Sequence, residues 1–245
     1  MKLVINKKKT KILHIHSPHF PLYPIQIITH SQSCLHANSP IHVPCQCKDI
    51  LETVNEYKYL GVTIDSRFKF DRHIDLLNKK LRTCSYIIFQ LKNFLNTATL
   101  RIVYCAFVEP LVRYGLMSWG NTSQCFLESV TLQQKRILKA MCSRKFSNHI
   151  QYFNAFNVLP AHSLFQYILI LKYYFSDSYK IKENHNHDTR NSNLYIEPRF
   201  TNEYGRQLLE HTVPMIFNKL PGSLKNLTKI SEVKKNVRKW LLTEH

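Results

Sequence analysis

The apolar pattern of this 245-residue chain changes its period once, between residues 65 and 74. Up to Asp65 the signal is that of short strands: "LVIN" and "KILHIHS" surround a lysine-rich turn, a Pro- and Ser-containing stretch follows, and "IHVPCQCKDI" and "YKYLGVTID" complete the set. From Asp71 onward Ile74, Leu77, Leu81, Ile88, Leu91 and Leu95 recur at steps that keep them on one side of a helix. A chain that switches in this way is expected to be α+β: a small N-terminal antiparallel β-hairpin region, a mainly helical bundle, and a C-terminal helical tail.

The boundaries follow from local signals. The predicted divisions are 1–70, 71–176 and 177–245. Asp71 is placed as the N-cap of a first long amphipathic helix. A second helix is expected from Thr97 or Thr99, bent near Pro110 and finished by Gly115 or Gly120. A third runs over about 126–142, with Val130, Ile137, Leu138 and Met141 on its apolar side. A fourth covers about 162–176, and the polar run "SDSYKIKENHNHDTRNSN" after it reads as an exposed loop and domain boundary. The last helix, "SEVKKNVRKWLL", sets Val233, Val237, Trp240 and Leu241 against Lys234, Lys235, Arg238 and Lys239.

Charge narrows the partners. Thirty-four Lys and Arg against 16 Asp and Glu give a formal net charge of +18, an excess that favours a polyanion. Nucleic acid is the leading candidate, because the basic residues are spread along the chain rather than gathered beside a long apolar segment. The most apolar run, "LFQYILILKYYF", is interrupted by Gln166 and Lys172 and is too short to cross a bilayer. The N-terminus "MKLVINKKKTK" lacks the apolar centre of a signal peptide. With seven irregularly spaced cysteines, the expectation is a cytosolic or nuclear protein with reduced thiols.

Familiar catalytic patterns are missing. Neither G-x-x-x-x-G-K, G-x-G-x-x-G nor G-x-S-x-G occurs. Cys45 and Cys47, with Cys34, His36 and His42 nearby, offer soft ligands, but the C-x-C spacing has no second pair, so packing is the favoured reading. The "HNHD" run from His185 to Asp188 reads as a solvated loop. Two-metal phosphoryl transfer needs carboxylates held close together, and Asp49, Asp65, Asp71, Asp75, Asp177 and Asp188 include no adjacent pair. Asp71 and Asp75 share a helix face, which a cap and a surface charge explain equally well. No catalytic residue is assigned.

Two elements in order carry more information. "INKKKTKILHI" contains Asn6, Lys9 and Thr10 in an N-x-x-K-T arrangement, and "YKYLGVTID" supplies Tyr59, Leu60, Gly61 and Val62. They are followed by "FKFDRHIDLLNKKL" and by "LRIVYCAFVEPLVRYGLMSWGN", with Tyr104, Ala106, Pro110, Tyr114, Gly115, Trp119 and Gly120. "LQQKRILKAM", "DTRNSN", "EPRF" and "FNKLPGSLKN" complete the order. This succession resembles the C-terminal part of the reverse transcriptases of jockey-like non-LTR retrotransposons: the end of the palm, the primer grip, the thumb and the tail. Phe217 stands where that tail usually has Trp.

The resemblance implies that Asn6, Lys9, Thr10, Tyr59, Leu60 and Gly61 belong to a palm remnant that meets a primer's sugar-phosphate chain, where glycine suits close approach. It also implies that basic thumb helices present Lys79, Lys80, Arg82, Lys135, Arg136 and Lys139 to the phosphates of RNA and DNA primer/template. For any one of these cations an ordinary solvated face is the commoner reading; their aggregate carries the expectation. In the family the catalytic aspartates precede the N-x-x-K-T element, so this sequence is expected to lack them and to need the palm and fingers region upstream. No cofactor is then expected in this chain, whereas the intact enzyme would use Mg2+. Such a chain would bind primer/template without polymerising alone. The alternative is a host-retained nucleic-acid-binding or interaction module derived from the thumb.

Overall fold

The computed structural model describes residues 6, 9–16, 27, 50–142, 146–176 and 194–243. The stretch holding Cys34, His36, His42, Cys45 and Cys47, and the polar run holding His185 to Asp188, lie outside the described residues. Two compact units partition the chain, residues 1–73 and residues 74–245.

In the first unit, β1 (Ile12–Leu13) pairs in parallel with β2 (Thr53–Val54), Ile12 opposite Thr53 and Leu13 opposite Val54. The Lys11 ammonium and Glu52 carboxylate form an ion pair beside this ladder. The expected hairpin is formed by β3 (Glu56–Tyr59) and β4 (Val62–Asp65), antiparallel, with Glu56 opposite Asp65 and Tyr59 opposite Val62. Its two-residue loop places Leu60 at φ 45° and Gly61 at φ 84°. Positive φ at both central positions is the geometry whose twist matches that of the flanking strands. All four residues of β3 are exposed and only Thr63 of β4 is buried.

Asp65 terminates the hairpin and organises the chain after it. Its carboxylate accepts from the backbone N–H groups of Arg67 at 2.9 Å, Lys69 at 3.0 Å and Phe70 at 2.7 Å. Those bonds hold a turn in which Phe68 and Phe70 both adopt positive φ, 57° and 60°, and their rings meet edge to face at 4.8 Å. Such backbone is strained for aromatic residues. A carboxylate that satisfies several N–H groups offsets part of that cost.

Helices make up the second unit. The first, α1 (Asp71–Leu91), buries Ile74, Leu77, Asn78, Leu81 and Ile88. The second, α2 (Thr97–Phe107), starts at Thr97 as expected and is capped by Asn96, whose Oδ1 accepts from the Thr99 N–H at 2.8 Å. Pro110 falls in the first turn of α3 (Glu109–Arg113), where its missing N–H would have had no helical partner. Gly115, at φ 64°, turns the chain into α4 (Leu116–Trp119).

This Tyr-Gly and Trp-Gly pattern is a packing corner. Trp119 is fully buried and its indole N–H donates to the Tyr114 carbonyl at 3.0 Å. A Cβ on Gly120 would lie 2.4 Å from the Leu116 oxygen and 2.5 Å from Phe165 Cδ2, so only glycine lets the two segments approach.

After α5 (Gln124–Met141) comes α6 (His149–Phe156), capped by Asn148 and ended by Asn157 in the left-handed conformation at φ 50°. The sequence reading contains no helix here. Both α6 and α7 (Ala161–Tyr173) pack on α5, and α7 buries Ala161, Ser163, Leu164, Phe165, Tyr167, Leu169 and Ile170 around most of its circumference. Its weak amphipathicity is what a helix surrounded by neighbours requires.

The segment beyond residue 193 packs into the same unit. It contains α8 (Glu203–Arg206), α9 (Leu209–Lys219), α10 (Gly222–Lys225) and α11 (Ile230–Thr243). Val233, Val237 and Leu241 of α11 are buried, with Trp240 half-buried, and both α9 and α11 pack on α7. Polar bonds tie both helices to further segments: Asn121 Nδ2, after α4, donates to Thr212 Oγ1 of α9 at 2.6 Å, and Arg238 Nη2 of α11 donates to the carbonyl of Asn157, which ends α6, at 2.6 Å. Phe217 is buried with its ring 5.5 Å from that of Tyr195.

Inside the core, Gln134 Nε2 donates to the Tyr104 hydroxyl at 3.1 Å and the Leu159 carbonyl at 3.2 Å. Burial pushes the Tyr104 phenol well above its ordinary range, with the Gln134 bond opposing and Glu109 adding to the rise. Burial likewise raises the thiols of Cys84 and Cys105. No described helix is long and apolar enough to cross a membrane.

Candidate nucleic-acid interface

The N-x-x-K-T residues form one turn. The Asn6 carbonyl accepts from the Lys9 N–H at 3.0 Å, the Thr10 N–H at 3.0 Å and the Thr10 hydroxyl at 2.9 Å, while Asn6 Oδ1 accepts from the Lys9 N–H at 3.3 Å. Asparagine and threonine are the residue types that close such a turn with their own side chains. Tyr57 then connects it to the hairpin, its hydroxyl donating to the Lys9 carbonyl at 3.4 Å. Residues two apart on a strand share a face, so Tyr57 and Tyr59 lie on the same side of β3. The structure thus gathers Asn6, Lys9 and Thr10 with the hairpin that carries Tyr59, Leu60 and Gly61 in one unit.

The tip of that hairpin runs against local preference. Asn, Asp or Gly suits the first position of a two-residue loop with positive φ, yet Leu60 occupies it and is 72% exposed. Left-handed backbone costs a non-glycine residue roughly 1–2 kcal/mol. Leu60 thus breaks a local preference at a position that its burial does not offset.

The six cations sit on two helices of the second unit. On α1, Lys79, Lys80 and Arg82 are exposed; on α5, Arg136 and Lys139 are exposed and Lys135 half-buried. Each set lies away from its helix's buried residues, Ile74, Leu77, Leu81 and Ile88 on α1 and Val130, Ile137 and Leu138 on α5. The two helices meet where Asn78 Nδ2 donates to Ser129 Oγ at 2.9 Å. Ion pairs among the described residues are Lys11 with Glu52, Arg113 with Glu109 and Lys229 with Glu232. None of the six cations takes part in these pairs, and Arg136 Nη1 donates to Gln133 Oε1 at 3.5 Å.

Among the described residues no three His, Cys, Asp or Glu side chains gather as a metal site. Two of the Asp carboxylates have visible local tasks: Asp65 holds the turn after the hairpin, and Asp71 Oδ1 accepts from the Arg72 N–H at 2.6 Å in the first turn of α1. Sequence reasoning missed Tyr57, whose role depends on a partner far away in the chain. It also missed the role of Asp65, although an Asp ahead of a short run into a helix is a recognisable signal for a side chain that caps backbone N–H groups.

Comparison with known proteins points one way. The chain is 33% identical over 110 residues to the probable RNA-directed DNA polymerase from transposon BS of Drosophila melanogaster, covering 42% of this chain and 12% of that protein. It is 30% identical over 87 residues to the RNA-directed DNA polymerase from mobile element jockey of the same organism, covering 34% of this chain and 9% of that protein. The matched stretches are therefore about a tenth of the relatives' length. No protein-family profile matches the chain, and no solved structure matches it. On motif order and on these two similarities, the chain resembles a fragment of a jockey-like non-LTR retrotransposon reverse transcriptase.

Proposed function

We propose that this chain binds primer/template nucleic acid through its basic helices and its Tyr-Leu-Gly hairpin, and does not polymerise by itself. The observation that carries the reading is the set of six cations on α1 and α5, turned from the core and joined to no carboxylate among the described residues. In a chain of net charge +18, such groups bind phosphates with little sequence preference. The hairpin would add backbone approach at Gly61 and ring contact at Tyr59, on the pattern of a primer grip.

Positioning groups cannot replace metal-held oxygens in phosphoryl transfer. Mg2+ would supply that chemistry in the intact enzyme, held by carboxylates that the described residues do not assemble. The test is primer extension by the purified chain on poly-rA/oligo-dT with Mg2+, run beside filter retention of the same labelled duplex. Retention at low salt without incorporation is expected. Incorporation above a blank contradicts the inactivity, and no retention at low salt contradicts the binding.

A further inference from the structure

Lys79, Arg82, Tyr86 and Phe89 follow one another at three- and four-residue steps along α1, so they form a single stripe. The stripe lies opposite the buried residues Ile74, Leu77, Leu81 and Ile88. Both rings are open to solvent, Tyr86 by 65% and Phe89 by 52%, although aromatic side chains normally contribute burial. Lys92 Nζ stands 5.4 Å from the centre of the Phe89 ring. Every charged residue of the chain from 76 to 92 is a cation, namely Lys79, Lys80, Arg82 and Lys92.

Cations followed by exposed rings on one face match what an unpaired strand needs: phosphates on the charges and base faces on the aromatics. Bases inside a duplex keep their faces stacked on each other, so Tyr86 and Phe89 have nothing to gain from paired nucleic acid. At roughly 1.5 Å per residue the stripe is about 15 Å long, which spans about four stacked nucleotides at about 3.4 Å each. The all-positive surroundings disfavour a second copy of the same surface, because like charges would be brought together.

We infer that this stripe of α1 is a track for single-stranded nucleic acid, with Lys79 and Arg82 on phosphates and Tyr86 and Phe89 stacked on bases. The inference rests on the nucleic-acid-binding reading above and names the form of the strand it takes.

Fluorescence anisotropy of the full chain with a labelled 20-mer oligo-dT and with a 20-base-pair duplex, across a salt series, tests it. The double variant Tyr86→Leu, Phe89→Leu keeps apolar character and helix propensity, and circular dichroism checks that it folds. Its single-strand affinity should fall by about tenfold or more, with the salt slope unchanged and duplex affinity moved less than about twofold. Lys79→Gln with Arg82→Gln should instead flatten the single-strand slope by about 1.4, at about 0.7 per contact.

Single-strand affinity within twofold of the wild type in the aromatic variant overturns the track while leaving the charge-based reading standing. So does an equal loss on single strand and duplex, or an effect seen only in self-association by sedimentation. Failure of the wild-type chain to bind either nucleic acid at low salt removes the broader reading as well.

Discussion

The β3–β4 hairpin leaves every residue of its first strand exposed, whereas α7 buries seven of its residues and Trp119 beside it is wholly enclosed. One region is held by backbone ladders, a turn built on Asn6 and a carboxylate that collects N–H groups. The other is held by apolar area removed from water, which stabilises by roughly 25 cal/mol per Å2. On the function proposed above, the difference separates two tasks. A surface meant to approach a backbone must keep its own backbone and rings accessible, so its shape has to be fixed locally. A scaffold that carries cations outward can bury its opposite face and take its stability from the core.

Breaking the scaffold should give the largest effect. Trp119→Ala removes the largest fully buried side chain and leaves the Tyr114 carbonyl without its indole donor. A loss of about 3–5 kcal/mol in unfolding free energy is expected in urea titration, and a loss under about 1 kcal/mol would show that the corner is not part of the core. Asp65→Ala should act locally instead. Three N–H groups lose their acceptor, so amide exchange at Lys69 and Phe70 should quicken by about tenfold, while the urea midpoint of the helical unit stays in place. A global shift would mean the two regions are not independently stabilised.

The smallest and most discriminating change is at the tip. Leu60→Asn puts a residue suited to positive φ at the first loop position and should stabilise the hairpin by up to about 1 kcal/mol. If the exposed Leu60 serves contact, nucleic-acid affinity should fall about fivefold, the loss of about 1 kcal/mol of apolar contact, even as hairpin amides exchange more slowly. Gains in both would assign Leu60 no role in binding.

The scaffold was more legible than the hairpin unit because helical periodicity is local. Expected helices over 126–142 and 162–176 correspond to α5 (Gln124–Met141) and α7 (Ala161–Tyr173), and the last helix to α11 (Ile230–Thr243). The first ends at Leu91, short of Leu95, because the chain turns through residues 92–95 ahead of the Asn96 cap.

Four helices escaped, the four-residue α8 and α10 among them. α6 is eight residues long and stops at an asparagine rather than a glycine, so its left-handed cap was not obvious. α9 contains Pro214, a breaker by propensity, yet Val213, Ile216 and Phe217 are buried around it, and tertiary packing outweighed the cost.

In the first unit the hairpin alternation was readable, but the parallel β1–β2 pair and the Tyr57–Lys9 bond join residues about forty apart or more, and no local pattern announces such contacts. The cations themselves were visible in the sequence. Their exposure and their separation from carboxylates needed the fold.

Salt dependence tests the central claim most directly. The wild-type chain and a variant with Lys79, Lys80, Arg82, Lys135, Arg136 and Lys139 all changed to Gln would be titrated against labelled oligo-dT from low to moderate salt. The slope of log affinity against log salt should be steep for the wild type and flatter by about 4 in the variant, at about 0.7 per phosphate contact on a single strand. Equal slopes for the two chains would contradict the assignment of α1 and α5 as the nucleic-acid-binding surface.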